Sequence, residues 1–93
     1  MSGPNPEKSF DSLFDELSDR IALGGDDSRT VELIQLGTHA IGKKIVEEAA
    51  EVWMAAEHES PEALSEEISQ LLYHIQVLMH AHNLSLHDVY KYL

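Results

Sequence analysis

The sequence contains no cysteine, which removes disulfide frameworks and thiolate metal sites together. Basic residues are scarce: 6 Lys and Arg stand against 17 Asp and Glu in 93 residues, a formal net charge of −11 with the six His neutral. Such a chain is poorly suited to nucleic acid, whose counterions are displaced by Lys and Arg, and to anionic membrane surfaces. No apolar run approaches the ~18–20 residues of a bilayer span. The most apolar stretch, Leu71 to Met79, is interrupted by His74 and Gln76. The opening Met1-Ser2-Gly3-Pro4-Asn5-Pro6-Glu7 has no apolar signal core, so a reducing, cytoplasmic setting is expected. No segment alternates apolar and polar residues over a useful length, which leaves β-strands without a signal.

What is present is ordinary for a folded chain: 43% hydrophobic and 25% charged residues. The length allows one domain, burying roughly two-thirds of the surface its unfolded form exposes. Residues 1–8 read as a loose, Pro-containing tail and residues 9–93 as the domain. From Ser9, a plausible N-cap, Phe10, Leu13, Phe14, Leu17 and Ile21 follow helical spacing until Gly24-Gly25. A second periodic run is expected from Ser28 or Thr30 to about Glu59, with Gly37 and Gly42 inside it as places for a kink or close packing. Ser60-Pro61-Glu62 stops one helix and starts the next, which continues to about His82, with Asn83 as its stop. Ser85-Leu86-His87-Asp88 has the form of a capping box opening a short last helix. The expected fold is all-α, with four helices. Two long ones form an antiparallel hairpin, completed as a bundle by dimerisation with a second copy.

Eight of the acids lie between Glu47 and Glu67, a window without Lys or Arg. A solvated acidic face is the plain explanation of such a run, and the helical wheel modifies it. Ile41, Ile45, Ala49, Val52 and Ala56 form the apolar stripe expected to be buried. Glu47 lies about 160° from its centre, Glu48 about 60° and Glu51 about 120°. In the next helix Glu67 lies about 75° from the stripe of Leu64, Ile68, Leu71, Ile75 and Leu78, while Glu66 points away; Gln70 and His74 follow at the border. Glu47-Glu48-x-x-Glu51 and Glu66-Glu67-x-x-Gln70 are therefore matching patterns, and an antiparallel hairpin can bring Glu48, Glu51 and Glu67 into one cluster. Carboxylates gathered without a cation raise one another's pKa. Oxygen donors without Cys favour Mg²⁺ or Mn²⁺ over zinc, and no Glu-x-x-His pair supports a di-iron site. Lys44 shares the acidic face and is a candidate phosphate contact; Lys43 points elsewhere and is assigned to solubility. Trp53 and Met54, at helical spacing, are expected to serve packing rather than base-stacking. His74 is either a structural hydrogen bond or a substrate contact. His39, His58, His80, His82 and His87 have no convergent ligand spacing.

Lys43-Lys44-Ile45-Val46-Glu47-Glu48-Ala49-Ala50-Glu51-Val52, followed by Glu66-Glu67-Ile68-Ser69-Gln70-Leu71-Leu72-Tyr73-His74, resembles the phosphoribosyl-ATP pyrophosphatases of the all-α, MazG-like superfamily. The resemblance covers about residues 10–93 and extends to Ser28-x-Thr30 with Leu33, and to Leu84-Ser85-Leu86-His87-Asp88-Val89. It implies Mg²⁺-dependent hydrolysis of 1-(5-phospho-β-D-ribosyl)-ATP to the AMP derivative and diphosphate, the second step of histidine biosynthesis. It also implies Glu48, Glu51 and Glu67 as metal ligands, with Gln70 in the place usually held by a fourth, acidic ligand. Gln supplies a neutral oxygen there, and Val46 replaces a frequent Gly. Glu48 and Glu47 would be catalytic, Glu47 or a non-ligating oxygen of the cluster accepting the proton of the attacking water, and Lys44 and His74 would meet the substrate. Two alternatives accompany this reading: a housekeeping nucleoside-triphosphate pyrophosphatase, and a non-catalytic acidic helical dimer.

Overall fold

The computed structural model describes residues 7–25 and 28–93. Residues 1–6 of the expected tail, and Asp26 and Asp27 of the first loop, lie outside them. Every described element is a helix: α1 Phe10–Leu23, α2 Arg29–Leu36, α3 Thr38–His58, α4 Pro61–Ala81 and α5 Leu86–Tyr90. None of these helices is long and apolar enough to cross a membrane.

Serines start four of the five. The side chains of Ser9, Ser28, Ser60 and Ser85 accept from the backbone N–H of Ser12, Val31, Ala63 and Asp88, satisfying donors that a helix start leaves open. The capping box at α5 forms as expected, and Ser9 and Ser12 form a second one. Asp88 returns the bond to the Ser85 backbone N–H, and this hydrogen bond, with the one from the Ser85 side chain, holds its carboxyl below the usual range.

The expected second helix is two. Gly37 breaks the run, with φ 98° and ψ 177°, a conformation essentially reserved for glycine, while Gly42 continues inside α3. The count is therefore five helices, not four. A Cβ built on Gly37 meets nothing within 4 Å, so the penalty of Gly37→Ala is purely conformational. Chemical denaturation should register a loss of about 1–3 kcal/mol, and an unchanged midpoint would show that the bend relaxes freely.

The bend folds α2 back onto the α3–α4 hairpin. Leu17 of α1, Leu33 of α2, Ile41 of α3 and Val77 of α4 form the core, with Leu13, Ile34, Ile45, Tyr73, Leu78 and Ala81 packed around it. Polar ties hold the covering helices in place. The hydroxyls of Thr30 and Tyr73 are hydrogen-bonded at 2.8 Å, linking α2 to α4. Gln76, wholly buried, donates Nε2 to the Phe10 carbonyl at 2.7 Å. His80 stacks on the Phe14 ring and donates Nε2–H to its carbonyl at 3.1 Å. The Tyr90 hydroxyl donates to Asp11, docking α5 on α1.

All of this lies at one end of the hairpin. Between Ile41 and His74, Ala55 is the only buried residue. The half of the hairpin nearer the Ser60 turn is thus two helices packed on each other with little else around them.

Candidate functional site

That thin half carries the acids. In α3 the side chains turned toward the rest of the chain recur at Ile41, Ile45, Glu48, Val52 and Ala55, a 4-3-4-3 spacing, each buried or half-buried. Glu48 belongs to this row, and its side chain is 15% exposed. Ala49 and Ala56, expected in the stripe, are exposed instead. In α4, Leu64, Leu71, Ile75 and Leu78 are half-buried as expected, whereas Ile68 is exposed. Trp53 and Met54 do not pack in the interior either: they are 67% and 54% exposed, because they lie on the outer side of α3, away from α4.

The antiparallel hairpin sets Glu67 of α4 across from Glu48 and Glu51. Partial burial pushes the Glu67 carboxyl above its ordinary range, reinforced by the charges of Glu51 and Glu48 and, more weakly, of Glu66 and Glu59. Glu67 is thereby a carboxylate short of positive charge. Lys44 is the cation on this side of α3: its Nζ stands 3.5 Å from Glu47 Oε1 and 3.9 Å from Glu48 Oε1. Glu47 is half exposed and available to solvent. Gln70 is exposed one turn after Glu67, and its backbone carbonyl accepts a 2.7 Å hydrogen bond from His74 Nδ1–H. His74 itself is 4% exposed with its ring edge against Tyr73. Of the two roles open to it, the structural bond is the one present, and burial keeps the ring from the surface.

The three glutamates and the Gln70 amide form a donor set of oxygens alone, suited to a hard divalent cation. Among the described residues, no three His, Asp or Glu side chains are drawn together closely enough to ligate as they lie. Rotation of long, surface-reaching Glu side chains would have to close such a site. Thr30, Tyr73 and Gln76 carry no assigned role in the sequence reading. They do not touch the acids, yet the Thr30–Tyr73 bond and the Gln76–Phe10 bond seat the helices that hold α3 against α4.

The family model described as phosphoribosyl-ATP pyrophosphohydrolase matches residues 8–93. A phosphoribosyl-ATP pyrophosphatase of Salinibacter ruber is 60% identical over 86 residues, covering 92% of this chain and 99% of that protein. The phosphoribosyl-ATP pyrophosphatases of Streptomyces coelicolor and Streptomyces avermitilis are each 60% identical over 88 residues, covering 94% of this chain and 98% of theirs. With the family model and these relatives each matching nearly the whole length, the chain belongs to the phosphoribosyl-ATP pyrophosphohydrolase family.

Proposed function

We propose that this enzyme hydrolyses 1-(5-phospho-β-D-ribosyl)-ATP to 1-(5-phospho-β-D-ribosyl)-AMP and diphosphate, the second step of histidine biosynthesis, in the cytoplasm. The observation that carries the reading is the placement of Glu67 against Glu48 and Glu51, in a chain matched by that family from residue 8 to 93.

Glu48, Glu51 and Glu67 would hold Mg²⁺, or Mn²⁺ in its place, with the Gln70 amide oxygen as a neutral fourth donor. When bound, the cation supplies positive charge against the triphosphate. The remaining work belongs to the chain. Water attacks the α-phosphorus, the bond from that phosphorus to the bridging oxygen breaks, and diphosphate leaves with the electron pair. Glu47, exposed beside Glu48, accepts the proton of the attacking water. Lys44, freed from Glu47 and Glu48, takes a phosphate oxygen. His74 holds the turn of α4 that carries Gln70. The working unit is a homodimer, in which a second copy supports the thin half of the hairpin as a bundle.

The decisive assay offers phosphoribosyl-ATP and a panel of ordinary nucleoside triphosphates with Mg²⁺ and follows diphosphate release. Turnover of phosphoribosyl-ATP above the panel is expected. Turnover of the panel alone would replace this reading with a housekeeping pyrophosphatase, and silence on every substrate with a non-catalytic binding module. The same preparation should melt at higher temperature in Mg²⁺, since a cation binding only the native state adds about 2.7 kcal/mol at a hundredfold excess over Kd. A variant with Gln at Glu48, Glu51 and Glu67 should lose that shift.

A further inference from the structure

Lys43, assigned from sequence to solubility, occupies a more specific place. With His39, Gly42, Val46 and Glu47 it lines a shallow groove of about 660 Å³ on α3, a volume within the range of small-molecule sites. His39 and Lys43 are both exposed and, four positions apart, lie on one side of the helix. Gly42 keeps the floor open: a Cβ built there meets nothing within 4 Å. Glu47 belongs to the groove and to the acids at once, since its Oε1 stands 3.5 Å from the Lys44 Nζ that also approaches Glu48. Between Glu32 and Glu47 the sequence has no acid, yet this stretch holds two of the six Lys and Arg. Lys8 and Arg20 are paired with Glu16, Arg29 with Glu32, and Lys44 with Glu47 and Glu48. Among the described residues, Lys43 and Lys91 are the cations with no carboxylate within 4 Å. Lys91 lies over the Tyr92 ring, after the helix that docks on α1. Lys43 is the one that borders the acids.

We infer that this groove binds the 5-phosphoribosyl group that distinguishes 1-(5-phospho-β-D-ribosyl)-ATP from an ordinary nucleoside triphosphate, with Lys43 and His39 holding its phosphate. The inference rests on the activity proposed above and names the part of the site that selects the substrate. That substrate is anionic at two ends. Its triphosphate goes to the carboxylates' cation and to Lys44. Its second phosphate, carried by the ribosyl group on the purine, needs a positive charge of its own. In a chain of net charge −11, such a charge is useful only where no carboxylate already occupies it, and Lys43 meets that condition. Lys43 and Lys44 diverge by about 100° on the helix, so they serve different phosphates. Lys43 also stands eight positions before Glu51, about 12 Å along the axis, which separates the two ends of the substrate. The exposed Val46 side chain and the bare backbone of Gly42 suit the carbon face of a ribose. The His39 ring adds a hydrogen-bond donor beside the ammonium. An ordinary triphosphate forgoes both phosphate contacts, and binding energy from this remote group is what separates the two substrates. The groove lies at the end of α3 remote from the Ser60 turn. A second copy at the thin half of the hairpin therefore leaves it open.

Steady-state hydrolysis of phosphoribosyl-ATP, with ATP added as a competitor, tests the assignment. Competition reads ATP binding whether or not ATP is itself hydrolysed. Lys43→Gln should raise KM for phosphoribosyl-ATP about tenfold, the loss expected from one hydrogen bond to a charged group, while the inhibition constant of ATP moves by less than about twofold. Lys43→Arg keeps the cation and should recover most of that loss. Gly42→Leu fills the groove and should raise the same KM. It should melt no lower than the wild type, because Leu is favoured over Gly inside a helix and the added Cβ meets nothing. An unchanged KM in either Lys43→Gln or Gly42→Leu would overturn the inference. Parallel rises in KM and in the ATP constant would overturn it as well, by placing Lys43 on the triphosphate that both molecules share. A wild type that leaves phosphoribosyl-ATP intact would overturn the proposed activity and the groove's role with it. Failure confined to the variants removes the groove and leaves the activity standing.

Discussion

Glu67→Gln should release diphosphate from phosphoribosyl-ATP about 10²–10³-fold more slowly than the wild type, with an unchanged circular dichroism spectrum. The magnitude is that of removing one preorganised electrostatic partner from a site where charge develops in the transition state. Stability should not fall, because the substitution removes a carboxylate already pushed up in pKa by burial and by its neighbours Glu51 and Glu48. Glu48→Gln should behave alike. It forfeits a Lys44 contact of 3.9 Å, and helix-surface pairs of this kind contribute only roughly 0.3–0.5 kcal/mol. The adjacent Glu66→Gln is the discriminating control: Glu66 is exposed and faces away from the hairpin seam, so its loss should change the rate by no more than a few-fold. Equal losses from Glu66 and Glu67 would mean that bulk negative charge matters and that the face does not.

Leu17→Ala should lower the unfolding free energy by about 2–5 kcal/mol, the range for a large-to-small change in a closed core. Leu17 is wholly buried, the only such residue of α1, and contacts the core formed with Leu33, Ile41 and Val77. A domain of this size has a total stability of roughly 5–15 kcal/mol, so a large share of the folded population is at stake at growth temperature. Urea unfolding measures it, and Leu23→Ala is the reference: Leu23 is at the exposed end of the same helix and should shift the midpoint little. Similar shifts for both would remove Leu17 from the core.

Much of this was readable before any coordinates. Ser9, Ser28, Ser60 and Ser85 announce helix starts because capping is local chemistry, settled within three residues. The approach of Glu67 to Glu48 and Glu51 follows from two periodicities and one tight turn. Gly37 was readable only as one of two places for a kink, since a glycine permits a bend without demanding it and Gly42 has the same local freedom. The true division of α3 was not readable. The stripe through Ile41, Ile45, Ala49, Val52 and Ala56 mixes two rows. One faces the chain's own core, with Glu48 in it; the other, with Ala49 and Ala56, faces outward. A helix that is apolar over so wide an arc does not disclose which edge its own fold covers. Burial of Thr30 and Gln76 escaped notice for a different reason: their partners, Tyr73 and Phe10, lie 43 and 66 positions away along the chain.

The uneven distribution of burial along the hairpin has a consequence for how the molecule opens. Around Leu17 and Val77 the packing of four helices shields backbone hydrogen bonds from water, and their amide protons should exchange only when the whole domain unfolds. Near the Ser60 turn, where Ala55 alone is buried, local fraying exposes amides at far lower free energy. Glu51 and Glu67 stand in that softer segment. The enzyme is thus built as a firm base with a compliant, charged tip, and whatever binds among the carboxylates also decides how often the tip comes apart.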